Sequence, residues 1–135
     1  MAGSKSDAFE ADVLKAALGL ATSIITTTPI TTYVGLLTVA PTDSTGGTEV
    51  SGGSYARVSN ASKWPTPTSG AALSNNAVIT FPTATAGWGT VVAFGIYSAS
   101  SAGSLLYWGD LTVSRTVLTG DTPQFAVGTL TLSED

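Results

Sequence analysis

The 135-residue chain has no cysteine and no histidine. Without cysteine it has no disulfide, no thiolate metal ligand and no thiol nucleophile. Without histidine it lacks the commonest general base and the commonest transition-metal ligand, so neither a Ser-His-Asp nor a Cys-His arrangement can be built from it. Charge is scarce as well: Asp, Glu, Lys and Arg make up 10% of the residues, against roughly 25% in typical soluble domains. The five bases, Lys5, Lys15, Arg57, Lys63 and Arg115, are scattered, and the net charge is −4. Nucleic acid and anionic membrane surfaces need clustered Lys and Arg, so neither is expected as a partner. A long apolar span is missing too. The stretch Ala16 to Ala40 is fairly apolar, but threonines from Thr26 to Thr32 and Pro29 interrupt it. It never reaches the roughly 18 residues of a membrane helix. Acids at Asp7, Glu10 and Asp12 precede it where a signal peptide carries bases. The chain therefore reads as soluble, and the absence of cysteine fits a cytoplasmically made protein among others.

What is present points to strands. Val, Ile, Thr and aromatics favour pleated sheets, and 15 glycines and 6 prolines supply breaks between them. The centre is Trp88 to Leu111, where the apolar runs Val91–Tyr97 and Leu105–Trp108 flank a Ser/Ala/Gly tract, as in a β-hairpin with a longer loop. Both faces of the first run are apolar, which predicts a strand in the middle of a sheet. No charge occurs between Trp64 and Gly109.

Further strands are predicted over Thr31–Val39, Ser54–Ser59, Asn76–Phe81, Thr112–Asp121 and Gln124–Leu132, with an edge strand inside the polar, Pro-interrupted excursion Asn60–Asn75. The prediction is an all-β domain: a single antiparallel β-sandwich of about seven strands, with turn signals at the spacing such folds show. One short N-terminal amphipathic helix precedes it. Phe9, Val13, Ala16, Ala17 and Leu20 recur at helical spacing, Asp7 is a candidate N-cap with Glu10 three residues on, and Gly19 marks the C-terminus. The chain divides into an arm and helix at 1–22 and a sandwich at 31–135, one structural domain overall. The helix either packs over its own domain or docks its apolar face on a neighbour.

Candidate chemistry is thin. Asp43 and Glu49, with Thr45 and Thr48, offer oxygens for calcium but lack the spacing of an EF-hand loop. Asp110 and Asp121 are two carboxylates of the kind a glycosidase pairs, yet each sits beside a turn glycine. The three tryptophans and four tyrosines suit a sugar platform, but core packing and subunit interfaces use the same residues more often. No catalytic, cofactor or metal residue is assigned. A surface of Thr, Ser, Ala and Gly with so little charge suits a protein packed against copies of itself or a larger assembly.

The order of motifs carries a resemblance. Tyr33–Leu37 (YVGLL) leads into Ala40-Pro41-Thr42-Asp43, followed by Gly47–Arg57 (GTEVSGGSYAR), Ile79–Pro82 (ITFP), Trp88-Gly89-Thr90, Phe94–Tyr97 and Gly120-Asp121-Thr122. From Thr31 to Asp135 the chain resembles a family of small virion proteins of tailed bacteriophages labelled tail-fibre proteins. The resemblance implies a non-enzymatic structural protein of the virion, assembled in the host cytoplasm and needing no cofactor. Within that class, the small single domain, the lack of an extended fibre repeat, the low charge and a terminal helix suited to docking favour a capsid decoration (cement) protein that stabilises the head shell by binding the major capsid protein and copies of itself. The alternative is a tail-fibre or tail-tip component that reads host glycans. Phe9, Val13, Tyr55, Arg57 and Trp64 are the interface candidates, being aromatic, apolar or arginine residues in the helix, the Ser54–Ser59 strand and the 60–75 excursion.

Overall fold

The structure, a computed structural model, describes residues 4–22, 30–66 and 72–133. In chain order these form β1 (Ser4–Lys5), α1 (Asp7–Ala17), β2 (Tyr33–Val39), β3 (Thr48–Glu49), β4 (Val58–Ser59), β5 (Ala72–Ser74), β6 (Ile79–Thr80), β7 (Gly89–Tyr97), β8 (Leu105–Val117), β9 (Gln124–Phe125) and β10 (Thr131–Ser133). The protein is all-β with one short helix, as its composition predicts, although most strands are shorter and more fragmented than the sequence pattern suggests. None of its described helices is long and apolar enough to cross a membrane.

The main sheet runs β1-β8-β7-β2-β3, with β4 also paired to β2, and every pairing is antiparallel. The two-sided apolar run is β7, in the interior of this sheet. Its register against β2 pairs Val34 with Ile96 and Leu36 with Phe94. These four point to one face, where they pack with Val50, Ile79, Phe81, Trp88 and Leu130 into the core. Two ribbons, β5–β10 and β6–β9, supply Ile79, Phe125 and Leu132 to that layer. Phe125 meets Phe94 and Phe81 edge-on, at 6.3 and 6.1 Å between ring centres. Asn75, 1% exposed, ties the ribbons together. Its Nδ2 donates to the Ala77 and Ala126 carbonyls, and its Oδ1 accepts from Leu130 N.

Helix α1 begins one residue earlier than predicted. Ser6, extended at φ −86 and ψ 152, is the N-cap and accepts from Phe9 N, which frees Asp7 for the first turn where the helix dipole favours an acid. At the other end Gly19 (φ 70) donates to Ala16 O and Leu20 N to Lys15 O, the paired bonds of a Schellman motif. The helix lies on its own sheet. Phe9 meets Tyr107 of β8 edge-on at 5.2 Å, and Ser6 donates its hydroxyl to the Leu105 carbonyl and its N–H to Leu106 O.

Four predicted strands take other bounds in the fold. Ser54–Ser59 shrinks to β4, because Gly52, Gly53 and Ser54 all take positive φ (75, 56 and 62) and use the preceding residues as a turn. Gln124–Leu132 is split into β9 and β10 by a turn at Gly128 (φ 78), closed by Thr129 N on Ala126 O. Conversely, Leu105–Trp108 and the run after Thr112 are one strand, β8. Its register on β7 shifts between Ala93↔Asp110 and Val91↔Arg115, so residues 111–114 bulge opposite Val92.

Candidate functional site

The segment Glu49 to Arg57, one of the motifs that carry the resemblance, folds into a clasp on the outer edge of β2. That edge is paired in two pieces: Leu37 and Val39 with β3, Tyr33 and Val34 with β4. Between them Leu36 has no strand opposite. Its carbonyl takes Val50 N at 2.9 Å, and its N–H donates to Tyr55 Oη at 2.9 Å. A buried backbone N–H without an acceptor is costly, so the phenol completes the sheet edge. Gly53 O, at the turn, accepts from Thr85 N and Trp88 Nε1. A Cβ on Gly53 would fall 2.8 Å from Trp88 Nε1, so the turn needs glycine there for room as well as for its φ.

Glu49 and Arg57 close the clasp. Arg57 Nε donates to Glu49 Oε1 at 2.8 Å and Nη2 to Oε2 at 2.7 Å, a bidentate fork. Tyr55 Oη donates to the same Oε1 at 2.7 Å. Arg57 Nη1 reaches across to the β7–β8 loop and donates to the carbonyls of Ala99 and Ala102, both at 2.8 Å. The guanidinium lies 3.5 Å from the centre of the Tyr97 ring, in cation–π contact. Only 8% of the Arg57 side chain is exposed, against 25% for Glu49. One cation thus ties β3, the 52–57 turn, β7 and the hairpin loop together.

The electrostatics follow from burial. Tyr97 is pushed up to about 12 by burial, with Glu49 adding to the shift and Arg57 opposing it. Tyr55 is pushed further up, again mainly by burial, with the Leu36 N–H opposing and Glu49 reinforcing. Burial works against the charge on Arg57, but the hydrogen bonds and charge of Glu49 outweigh it and hold the guanidinium ionised. Four Arg57 donor contacts end on this chain. The cluster is built to hold backbone in place; as a reaction centre it offers neither a free base nor a nucleophile with an activating partner.

The five interface candidates are placed as follows. Tyr55 and Arg57 face inward as described. Trp64 is half-buried against the core and donates from Nε1 to Asn60 Oδ1 at 3.1 Å, while Asn60 holds Thr32 through its own N–H and Nδ2. Phe9 and Val13 are half-buried on the side of α1 that faces the sheet, so α1 follows the reading in which it packs over its own domain. Glu49 is committed to Arg57 and Tyr55 rather than left for calcium, and Asp43 lends its carbonyl to Asp7 N. Asp121 Oδ2 accepts from Leu118 N inside its own turn, and Asp110 is exposed on β8. Among the described residues no three acidic, histidine or cysteine side chains gather into a metal-holding group. Trp88 and Tyr97 are buried, and Trp64, Trp108, Tyr33, Tyr55 and Tyr107 are half-buried, so no tryptophan or tyrosine stands exposed.

Sequence reasoning passed over two features. Glu49 and Tyr97 are partners of Arg57, and the signal available was the single arginine placed among apolar strands. Leu14 and Leu18 are 66% and 73% exposed, although they share the leucine spacing of a buried stripe.

A protein-family model described as Podophage GP4 fiber I protein gp80 matches residues 4–133 of this chain. An all-β, clasp-stabilised fold thus coincides, over nearly its whole length, with a class of phage fibre-type virion proteins. The chain belongs to that family. No curated protein matches it.

Proposed function

We propose that this protein is a non-enzymatic structural component of a podophage tail fibre. The observation that carries the reading is the family match over residues 4–133, whose description is of a fibre protein. The geometry supports a structural role. The most distinctive polar residues, Glu49, Tyr55 and Arg57, spend their hydrogen bonds on the fold itself. The same family description supports the fibre reading better than the capsid-decoration role, which rests on the small single domain, the low charge and the terminal helix. Host-glycan reading by exposed aromatics draws no support from the placement of Trp and Tyr, none of which is exposed.

The test is to label the protein on intact particles and image them. Signal confined to a few copies at the tail is expected. Signal spread over the head in many copies would replace the fibre reading with decoration. Turnover of a polysaccharide panel by the purified protein would overturn the non-enzymatic part.

A further inference from the structure

Helix α1 has two apolar faces, and only one is used by its own domain. At 100° per residue, Phe9, Asp12 and Val13 share the side that lies on the sheet. Asp12 is 1% exposed and Phe9 and Val13 are half-buried. The opposite side carries Ala11, Leu14 and Leu18, spaced by three and four, and all three are exposed. Leu14 and Leu18 are 66% and 73% exposed. In a chain with so few charges, two leucines presented outward on one helical stripe form a docking seam.

The flanking charges say what docks there. With Ala11 and Leu18 at a positions and Leu14 at d, Glu10 is the preceding g position and Lys15 the following e position. Those are the positions that meet between neighbouring helices when identical helices run parallel, g of one against e of the next, five residues on. Glu10 is exposed, and the Lys15 side chain is 45% exposed, its ammonium only loosely held at 3.5 Å from Asp12 Oδ1. An antiparallel pair would instead set Glu10 against Ala17 and Lys15 against Ala8, with no charge pair. Opposite charges at parallel register are what a second copy of this chain supplies.

We infer that α1 is a self-association helix: copies of this chain join through parallel packing of Ala11, Leu14 and Leu18 about a rotation axis along the helices, with Glu10 of one copy beside Lys15 of the next. The seam is small, so the association is concentration-dependent, and Asp7, at its N-terminal end, brings like charges together and weakens it. This inference stands on the helix alone and does not require the fibre reading.

The absence of native cysteine makes the test clean. Sedimentation of the full chain over a concentration series should show an oligomer, and Leu14→Ser with Leu18→Ser should sediment as a monomer with an unchanged far-UV circular dichroism spectrum. Leu18→Cys should form an intermolecular disulfide at least about tenfold faster than a Ser101→Cys control, because the parallel seam raises its effective concentration. A wild-type monomer at every concentration overturns the inference, including the case in which another virion protein binds the helix instead. An oligomer that survives the double substitution overturns the assigned surface. An oligomer lost on that substitution but without faster Leu18→Cys linkage overturns the parallel register, since the antiparallel pair described above sets Leu18 against Asp7 and keeps the two Leu18 residues apart.

Discussion

Two short regions of this molecule reverse what their residues suggest. The segment Glu49–Arg57 is polar, glycine-rich and charged, the composition of a surface loop. Its charged and hydroxyl groups are folded inward, where they complete a sheet edge and pin a hairpin loop. Helix α1 mixes alanines and apolar residues with four charged ones, and it turns Leu14 and the capping Leu18 to solvent while burying Asp12. The physical difference lies in what each backbone leaves unsatisfied. Strand β2 has a gap at Leu36 that only a hydrogen-bonding group can fill, so polar residues are drawn inward. A capped helix satisfies its own backbone, so its free face needs no polar cover and remains available for another apolar surface.

The comparison makes unequal predictions for the two regions. Arg57→Ala should have the largest effect, lowering unfolding free energy by about 3–5 kcal/mol in urea titrations, because Glu49 and two loop carbonyls lose their donor together. Unchanged stability would mean that the clasp is ornamental. Gly35→Ala comes next. A Cβ there would lie 2.8 Å from Tyr97 Cε2, 2.9 Å from Glu49 Oε1 and 3.0 Å from Tyr55 Oη. The expected cost is about 1–3 kcal/mol, read as a lower thermal midpoint.

Alkaline titration sharpens the same side of the comparison. A phenol in the unfolded chain ionises around 10.0, whereas Tyr97 in the fold is held up to about 12. Between those values the folded state keeps a proton that the unfolded state has lost, so stability must fall as pH rises from about 10 toward 12. Tyr55 shifts in the same direction. Unfolding midpoints that stay flat across this window would show the phenols to be ordinary surface groups. The smallest effect on folding belongs to the helix: Leu14→Ser with Leu18→Ser should change the monomer's unfolding free energy by no more than about 0.5 kcal/mol, as surface substitutions do.

Much of the fold was legible in the sequence because its longest elements carry strong periodicity. Val91–Tyr97 announced a two-sided central strand, and the seven-residue Ser/Ala/Gly tract 98–104 announced the loop that closes the hairpin. Gly19 marked the end of α1 correctly. The fragmentation was not legible, because it depends on long-range partners: Asn75, distant in sequence, holds the turn that divides Gln124–Leu132. The face of α1 was misjudged for a related reason. Counting apolar residues cannot reveal that a carboxylate, Asp12, is taken inside while Ala16, Ala17 and Leu20 stay out. Of the candidate site, Tyr55 and Arg57 were visible as unusual residues, but their task was not, since Glu49, Leu36 and the Ala99 carbonyl lie on other elements.

The most direct test of the inward clasp is a double-mutant cycle on Glu49→Gln and Arg57→Ala, measured by equilibrium unfolding. The account predicts strong coupling, with the double variant less destabilised than the sum of the single ones by more than about 1 kcal/mol, as for residues sharing one hydrogen-bonded network. Additive effects would contradict it, placing Glu49 and Arg57 among the surface ion pairs that contribute little to a fold.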